Sequence, residues 1–408
     1  MATARAGTSC TRRSPRVYAG WALGTAALVA LTACGPASST PSDSTRTAGG
    51  VAPSPSAPVP SRVSSPRITP SAPSRSPRAA RSEKTATPST KPGKPEAADV
   101  STGLDTPWGL VALSDGSVLV SERDTGRILH VRGKQQDEAA DLSAVRPGGE
   151  GGLLGLVATP DQKTVFAYFT AADDNRIVAM TWDGKDLGEP EPILTGIPKG
   201  FRHNGGRLVI GPDGYLYVGT GEIGDEELAQ DKKSLGGKIL RITLQGKSAP
   251  GNPFDNEVFS YGHRNVQGLA FDAQGRLWAS EFGDQTWDEL NLITEGANYG
   301  WPEAEGSAKI DGVTNPKVVW KTEDASPSGL AYWQGDLWMA ALQGERLWQI
   351  PLDGTDPGEP VSHFSGDYGR LRSVTVAAGG KSLLLTASNT DGRAEPRSDD
   401  DRILRVTR

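Results

Sequence analysis

One three-part pattern recurs six times between residue 109 and the end of the chain. Each copy has a short apolar strand, a tight turn followed by an alternating strand, and a later Ile/Leu-rich strand that is often led by Arg or Lys. The first copy reads Gly109-Leu110-Val111-Ala112, turn Asp115-Gly116, Val118-Leu119-Val120, then Arg127-Ile128-Leu129. The others begin at Gly155-Leu156, Arg207-Leu208, Gly268-Leu269, Gly329-Leu330 and Val374-Thr375, and the last ends with Arg402-Ile403-Leu404. Asp-Gly and Gly-Gly supply the positive φ that two-residue hairpin turns require. The spacing, about 52 residues per copy, is that of a propeller blade. A sheet this small cannot bury both faces alone, but six arranged radially cover one another and close a ring. The pattern therefore predicts an all-β fold, a six-bladed β-propeller over residues 98–408. It is too long per copy for a β-helix and too regular for two sandwiches. The spans 219–237 and 386–401 are longer than their counterparts and are expected to carry function, because propeller loops gather at the channel mouths.

The first 97 residues read differently. Residues 1–16 are basic and residues 17–33 apolar and small, ending Leu31-Thr32-Ala33-Cys34. This is a secretory signal, and the ending resembles a bacterial lipoprotein box. It predicts a leader over 1–34, cleavage before Cys34, a lipid on that thiol and a membrane tether outside the cytoplasmic membrane. Residues 35–97 hold 13 Pro, 14 Ser and 7 Thr and no aromatic residue. Such a stretch buries too little apolar surface to offset its chain entropy and is expected to be an extended, disordered tether. With two cysteines in the whole chain, neither a disulfide scaffold nor a zinc cluster is available. Residues 98–408 carry 30 Lys and Arg against 46 Asp and Glu, so a nucleic-acid partner is not expected.

Only four histidines are present. His130 lies in an apolar strand, His363 before a Gly-rich loop, and His263 within Gly262-His263-Arg264-Asn265. His203 precedes Asn204-Gly205-Gly206-Arg207, on the approach to an inner strand. Glycines let another body approach the backbone, and a histidine there can take a proton near neutral pH. On the residues alone, a general base and a structural histidine stand side by side. Arg264 and Asn265 approach the fourth inner strand, and Arg370 and Arg372 the sixth. Arginines converging from several blades suit a polycarboxylate or phosphate; a solvated rim is the other reading. The stretch from Glu281 to Asn291, followed by Asn298-Tyr299-Gly300-Trp301-Pro302, has the carboxylates and loop carbonyls that suit Ca²⁺, or is simply an acid-rich turn.

These same stretches carry a resemblance. Pro107-Trp108-Gly109, Gly149-Glu150-Gly151-Gly152-Leu153-Leu154-Gly155-Leu156, His203-Asn204-Gly205-Gly206-Arg207, Gly262-His263-Arg264-Asn265-Val266-Gln267-Gly268 and Asp288-Glu289-Leu290-Asn291 resemble the soluble pyrroloquinoline-quinone (PQQ) sugar dehydrogenases, the glucose/sorbosone or aldose sugar dehydrogenase family. The resemblance spans essentially all of 99–408 and implies a six-bladed propeller. It implies that His203 is the general base for oxidation of an aldose at C1, with PQQ as hydride acceptor. It places Glu150, Arg264, Asn265, Arg370 and Arg372 near PQQ, and Gln343 where the family has a lysine. The carbonyls of Gly283 and Asp284 match one calcium site, and Glu289 and Tyr299 a second. The chain departs from the family at Phe282, Asp284 and Gln343, which leaves a non-catalytic sugar-binding propeller as the alternative. A Ca²⁺-dependent lactonase would need a different metal set on the channel axis. The implied partners are a small sugar and an unnamed electron acceptor.

Overall fold

The computed structural model describes residues 93–408. The leader, Cys34 and nearly all of the expected tether lie outside the described residues. The fold is a six-bladed β-propeller, each blade an antiparallel sheet. The chain enters on β1 (Glu96–Thr102), the outer strand of the sixth blade. Blade one is β2 (Pro107–Ala112), β3 (Val118–Glu122), β4 (Arg127–Arg132) and β5 (Gln135–Asp141). Blade two is β6 (Leu153–Ala158), β7 (Thr164–Thr170), β8 (Asn175–Thr181) and β9 (Glu191–Ile197). Blade three is β10 (Leu208–Ile210), β11 (Leu216–Gly219), β12 (Lys238–Ile242) and β13 (Val258–Tyr261), with a helical turn α1 (Glu227–Gln230) before β12. Blade four is β14 (Val266–Phe271), β15 (Leu277–Glu281), β16 (Trp287–Ile293) and β17 (Val318–Lys321). Blade five is β18 (Pro327–Trp333), β19 (Asp336–Ala341) and β20 (Arg346–Asp353), edged by β21 (Asp356–Pro357) and β22 (Val361–His363). Blade six is β23 (Leu371–Val376), β24 (Leu383–Ala387), β25 (Arg402–Thr407) and β1.

β1 pairs with β25 from Glu96 to Thr102, so the N-terminal strand closes the ring on the last one. The propeller thus begins at Glu96, two residues before the expected start at 98, because Glu96 and Ala97 pair with Thr407 and Val406. This closure leaves no open interface between the first and last blades.

The Gly-Leu motif has a packing cause. The inner strands β2, β6, β10, β14, β18 and β23 touch one another in a closed ring. A Cβ on Gly109 would stand 2.7 Å from the Leu154 carbonyl, and one on Gly329 2.7 Å from the Val374 nitrogen. Neighbouring inner strands come together backbone to backbone at that level. The leucines that follow are buried between blades. Two copies lack the glycine and carry Arg207 and Ser373 instead. These lie on opposite blades, and Arg207 Nη1 reaches the Ser373 hydroxyl at 3.0 Å. A guanidinium thus bridges the channel. Beyond it the channel opens into a funnel of about 400 Å³, lined in part by Leu110, Leu156, Leu208, Leu269, Leu330 and Val374 from the six blades.

Candidate functional site

The site end of the propeller is formed by the segments that lead into the inner strands and by the connections from each second strand to its third. The His203 approach to β10 is pinned at every step. Tyr168 donates its hydroxyl to the Asn204 carbonyl at 2.9 Å, Asn175 donates to Asn204 Oδ1 at 3.0 Å, and Gly205 N–H donates to Asn265 Oδ1 at 3.0 Å. His203 itself adopts φ = 55°, a left-handed conformation uncommon for a side-chain-bearing residue. Its N–H donates to Glu150 Oε2 at 2.8 Å. Its Nδ1 bonds to Glu222 Oε1, which lies just past β11. Glu222 is held in turn by the Gly224 N–H at 2.9 Å. With Nδ1 donating to a carboxylate, the lone pair of the neutral ring sits on Nε2. The arrangement suits a ring that receives a proton there, while the Glu222 carboxylate stabilises the cation.

Beside this base lies a cup lined by Trp108, Arg123, Glu150, Gln267, Phe282, Leu342, Arg372 and Arg393. Its charge is mostly positive. Arg372 is 4 % exposed, and burial, reinforced by nearby Arg123 and Arg370, pulls its guanidinium down to about 9. Burial and the neighbouring Arg372 likewise pull Arg207 down to about 9. The two flank Trp108, with guanidinium carbons 4.3 Å and 5.9 Å from its ring centroid. Asp391 answers part of this charge, bridging Arg370 at 3.0 Å and Arg372 at 3.3 Å. Burial works against the ionised Asp391, but the two arginines hold it below the usual carboxylate range. Glu150 is also held low despite burial, by the His203 N–H and the Arg393 guanidinium at 2.7 Å. Arg207 Nη2 and Arg264 Nε are buried with no hydrogen-bond partner. The cup thus presents the Arg123, Arg372 and Arg393 guanidiniums, partly offset by Asp124, Asp391 and Glu150, an arrangement that suits a multiply charged anion.

A family model, glucose/sorbosone dehydrogenase, matches residues 104–396. The chain belongs to this family. Among its relatives, aldose sugar dehydrogenase YliI of Escherichia coli K12 is 30 % identical over 328 residues, covering 69 % of this chain and 87 % of that one. The PQQ-bound form of aldose sugar dehydrogenase from Streptomyces coelicolor is 53 % identical, with a TM-score of 0.75 over 78 % of this chain and 99 % of that one. An oxidoreductase (glucose dehydrogenase) structure from Thermus thermophilus is 41 % identical, with a TM-score of 0.72 over 76 % and 99 %.

In this dehydrogenase-family chain the predicted site residues do not all meet. Glu150 and Arg372 line the cup, and Arg370 backs it through Asp391. Asn265 lies beneath, its side-chain oxygen engaged by the Gly205 N–H. Gln343 is exposed on the β19–β20 turn and does not line the cup; its neighbour Leu342 does. Arg264 turns to the adjacent loop, where it donates to the Gly283 carbonyl and, at 2.7 Å, to Asp284 Oδ1. Of the two carbonyls expected to face calcium, that of Gly283 is therefore already engaged by a guanidinium. That loop is braced by Glu305, whose Oε1 accepts four successive N–H groups from Asp284 to Trp287. Asp288 clamps it further through Gly283 N–H at 2.9 Å and Ser326 N–H at 2.6 Å.

Glu289 and Tyr299 line a small neighbouring cavity with Glu281 and Glu305. Burial and the nearby Glu281 push Glu289 up to about 8. Among the described residues no group of three or more His, Cys, Asp or Glu converges on a metal position. The other histidines are core residues. His263 bonds Glu281 and Ser260 at 2.8 Å each and stacks on Tyr299. His130 bonds Ser117 at 2.8 Å, and His363 bonds Gln349 at 2.9 Å.

Sequence reading missed Glu222, Arg123, Arg207, Asp391 and Arg393 as individual site residues. Four of them had a signal: Glu222 lies in the 219–237 span, and Asp391 and Arg393 in the 386–401 span. Arg207 was marked by standing where other copies have glycine.

Proposed function

We propose that this protein is a PQQ-dependent dehydrogenase that oxidises aldoses at C1, with His203 as the general base. The observation that carries the reading is the cup of desolvated guanidiniums, with buried orphan donors close by, next to a histidine whose Nδ1 is held by a carboxylate. The fit to PQQ follows from chemistry: a flat tricarboxylate needs several fixed cations and a ring-sized slot. Arg372 and Arg123 would meet its carboxylates, backed by Arg370, and Trp108 forms part of the wall. When bound, PQQ supplies an ortho-quinone that accepts hydride. The chain's own residues do the rest. Nε2 of His203 takes the proton of the C1 hydroxyl, and Glu222 stabilises the resulting imidazolium. Glu150 fixes the backbone of the base. Arg207 closes the channel floor, so water from the funnel side is kept from the reacting atoms.

The Gly283 carbonyl does not fit calcium as arranged, because Arg264 already engages it, and the same guanidinium holds the Asp284 carboxylate. Glu289 fits a divalent cation better: it is buried beside the like-charged Glu281, and both effects push its carboxyl up, while Glu281 is already met by His263. We read Glu289, with Tyr299, as the place a calcium ion would occupy to hold the loop. Anchoring at Cys34 outside the cytoplasmic membrane is proposed from the leader alone.

The test is dye-linked oxidation of aldoses by the purified propeller with and without PQQ. PQQ-dependent turnover that disappears in His203→Ala, with PQQ still bound, supports the reading. Turnover unchanged in that variant refutes the mechanism. Absence of any PQQ binding favours a sugar-binding propeller instead.

A further inference from the structure

Phe201 is the most exposed large apolar side chain among the described residues, with 80 % of its surface open to solvent. It stands two residues before His203. Its position is fixed: the Phe201 carbonyl accepts the Glu150 N–H at 2.9 Å, and the carboxylate of the same Glu150 accepts the His203 N–H at 2.8 Å. One residue thus holds the segment at both ends and sets the aromatic ring relative to the base. The ring lies over Gly149, where a Cβ would come within 2.9 Å of its Cδ2. Glu150 lines the cup, so Phe201 stands at its mouth. Two cations share this rim: Arg202, exposed beside Phe201, and Arg393, 55 % exposed on Glu150.

A phenyl ring held in water next to a reaction site suits a partner with an apolar face and a polar edge. A pyranose ring is such a partner: its C–H face stacks on the aromatic and its hydroxyls take donors such as Arg202. The reading above places the cofactor in the cup and the ring being oxidised against His203. A second ring, joined glycosidically to the first, must leave through the mouth. We infer that Phe201 is the platform of an outer saccharide subsite, which makes aldose-terminated saccharides of two or more rings better substrates than single sugars. This rests on the oxidation proposed above.

The experiment compares glucose with cellobiose and maltose in the holoprotein and in Phe201→Ala and Phe201→Trp. Phe201→Ala raises KM for the disaccharides about five-fold, leaves their kcat and the glucose kinetics unchanged, and Phe201→Trp restores the wild-type KM. Equal shifts for glucose and the disaccharides, or no shift, overturn the inference. A shift in the KM of the electron acceptor with the sugars unaffected also overturns it, because the ring then serves the acceptor. If the wild-type protein oxidises no sugar, the functional reading fails separately. Calorimetric binding of cellobiose to the cofactor-free protein then decides the subsite: loss of binding in Phe201→Ala supports it, and identical binding, or no binding by either protein, refutes it.

Discussion

Glu222 holds His203 through Nδ1, and both residues belong to connections of the same blade. The carboxylate is placed by blade three, while the base is pinned between blades two, three and four by Tyr168, Asn175 and Asn265. Removing the imidazole in His203→Ala lowers kcat about 10²–10⁴-fold. Glu222→Gln keeps an acceptor but removes the charge that favours the imidazolium, so turnover falls about ten-fold. Steady-state rates of the two variants check both points.

Arg372→Gln separates cofactor binding from folding. Arg372 is buried against like charges, and its contacts to Gln267 and Asp391 are long, 3.3 Å each. Losing it removes a desolvated charge while Arg370 keeps Asp391 paired. PQQ affinity, read by absorbance titration, falls about ten-fold or more, and the melting temperature of the cofactor-free protein does not fall.

Glu289 makes the metal-free protein pH-sensitive. Its folded carboxyl is raised to about 8 from an ordinary 4.5, so between those values the native state binds more protons than the unfolded chain. Stability is fully present below about 4.5 and declines as pH rises towards 8. Melting temperatures in chelator should show this decline, and both Glu289→Gln and added calcium should flatten it. A wild-type profile that is already flat in chelator contradicts the assignment.

Gly221→Ala tests the close packing under the base. A Cβ there collides with the His203 carbonyl and crowds Asn265 Oδ1. The cost is about 1–3 kcal/mol of stability, with a larger proportional loss of turnover because the base is displaced. Thermal melting and single-turnover rates measure the two effects.

The blade count was legible because each Gly-Leu pair answers a steric demand repeated around the axis, and because hairpin glycines punctuate the strands. His203 was legible from the glycines behind it. The outer strand of each blade was not, since segments such as β5, Gln135–Asp141, are half solvated and carry little apolar periodicity. The partners of the site were legible only as regions. Glu222 and Asp391 act through pairings 19 to 21 residues away along the chain, which no local pattern encodes. Arg264 shows the same limit: its place on the approach to blade four was correct, but its partners Gly283 and Asp284 lie across a loop whose course depends on Glu305.

The most direct test of the central claim is a PQQ titration of the cofactor-free propeller, followed by quinone absorbance and tryptophan fluorescence from the wall residue Trp108. Saturation at a single site per chain, weakened in Arg372→Gln and unaffected in His203→Ala, is the predicted result. Failure of the wild-type protein to bind PQQ, or equal binding by wild type and Arg372→Gln, would contradict the account.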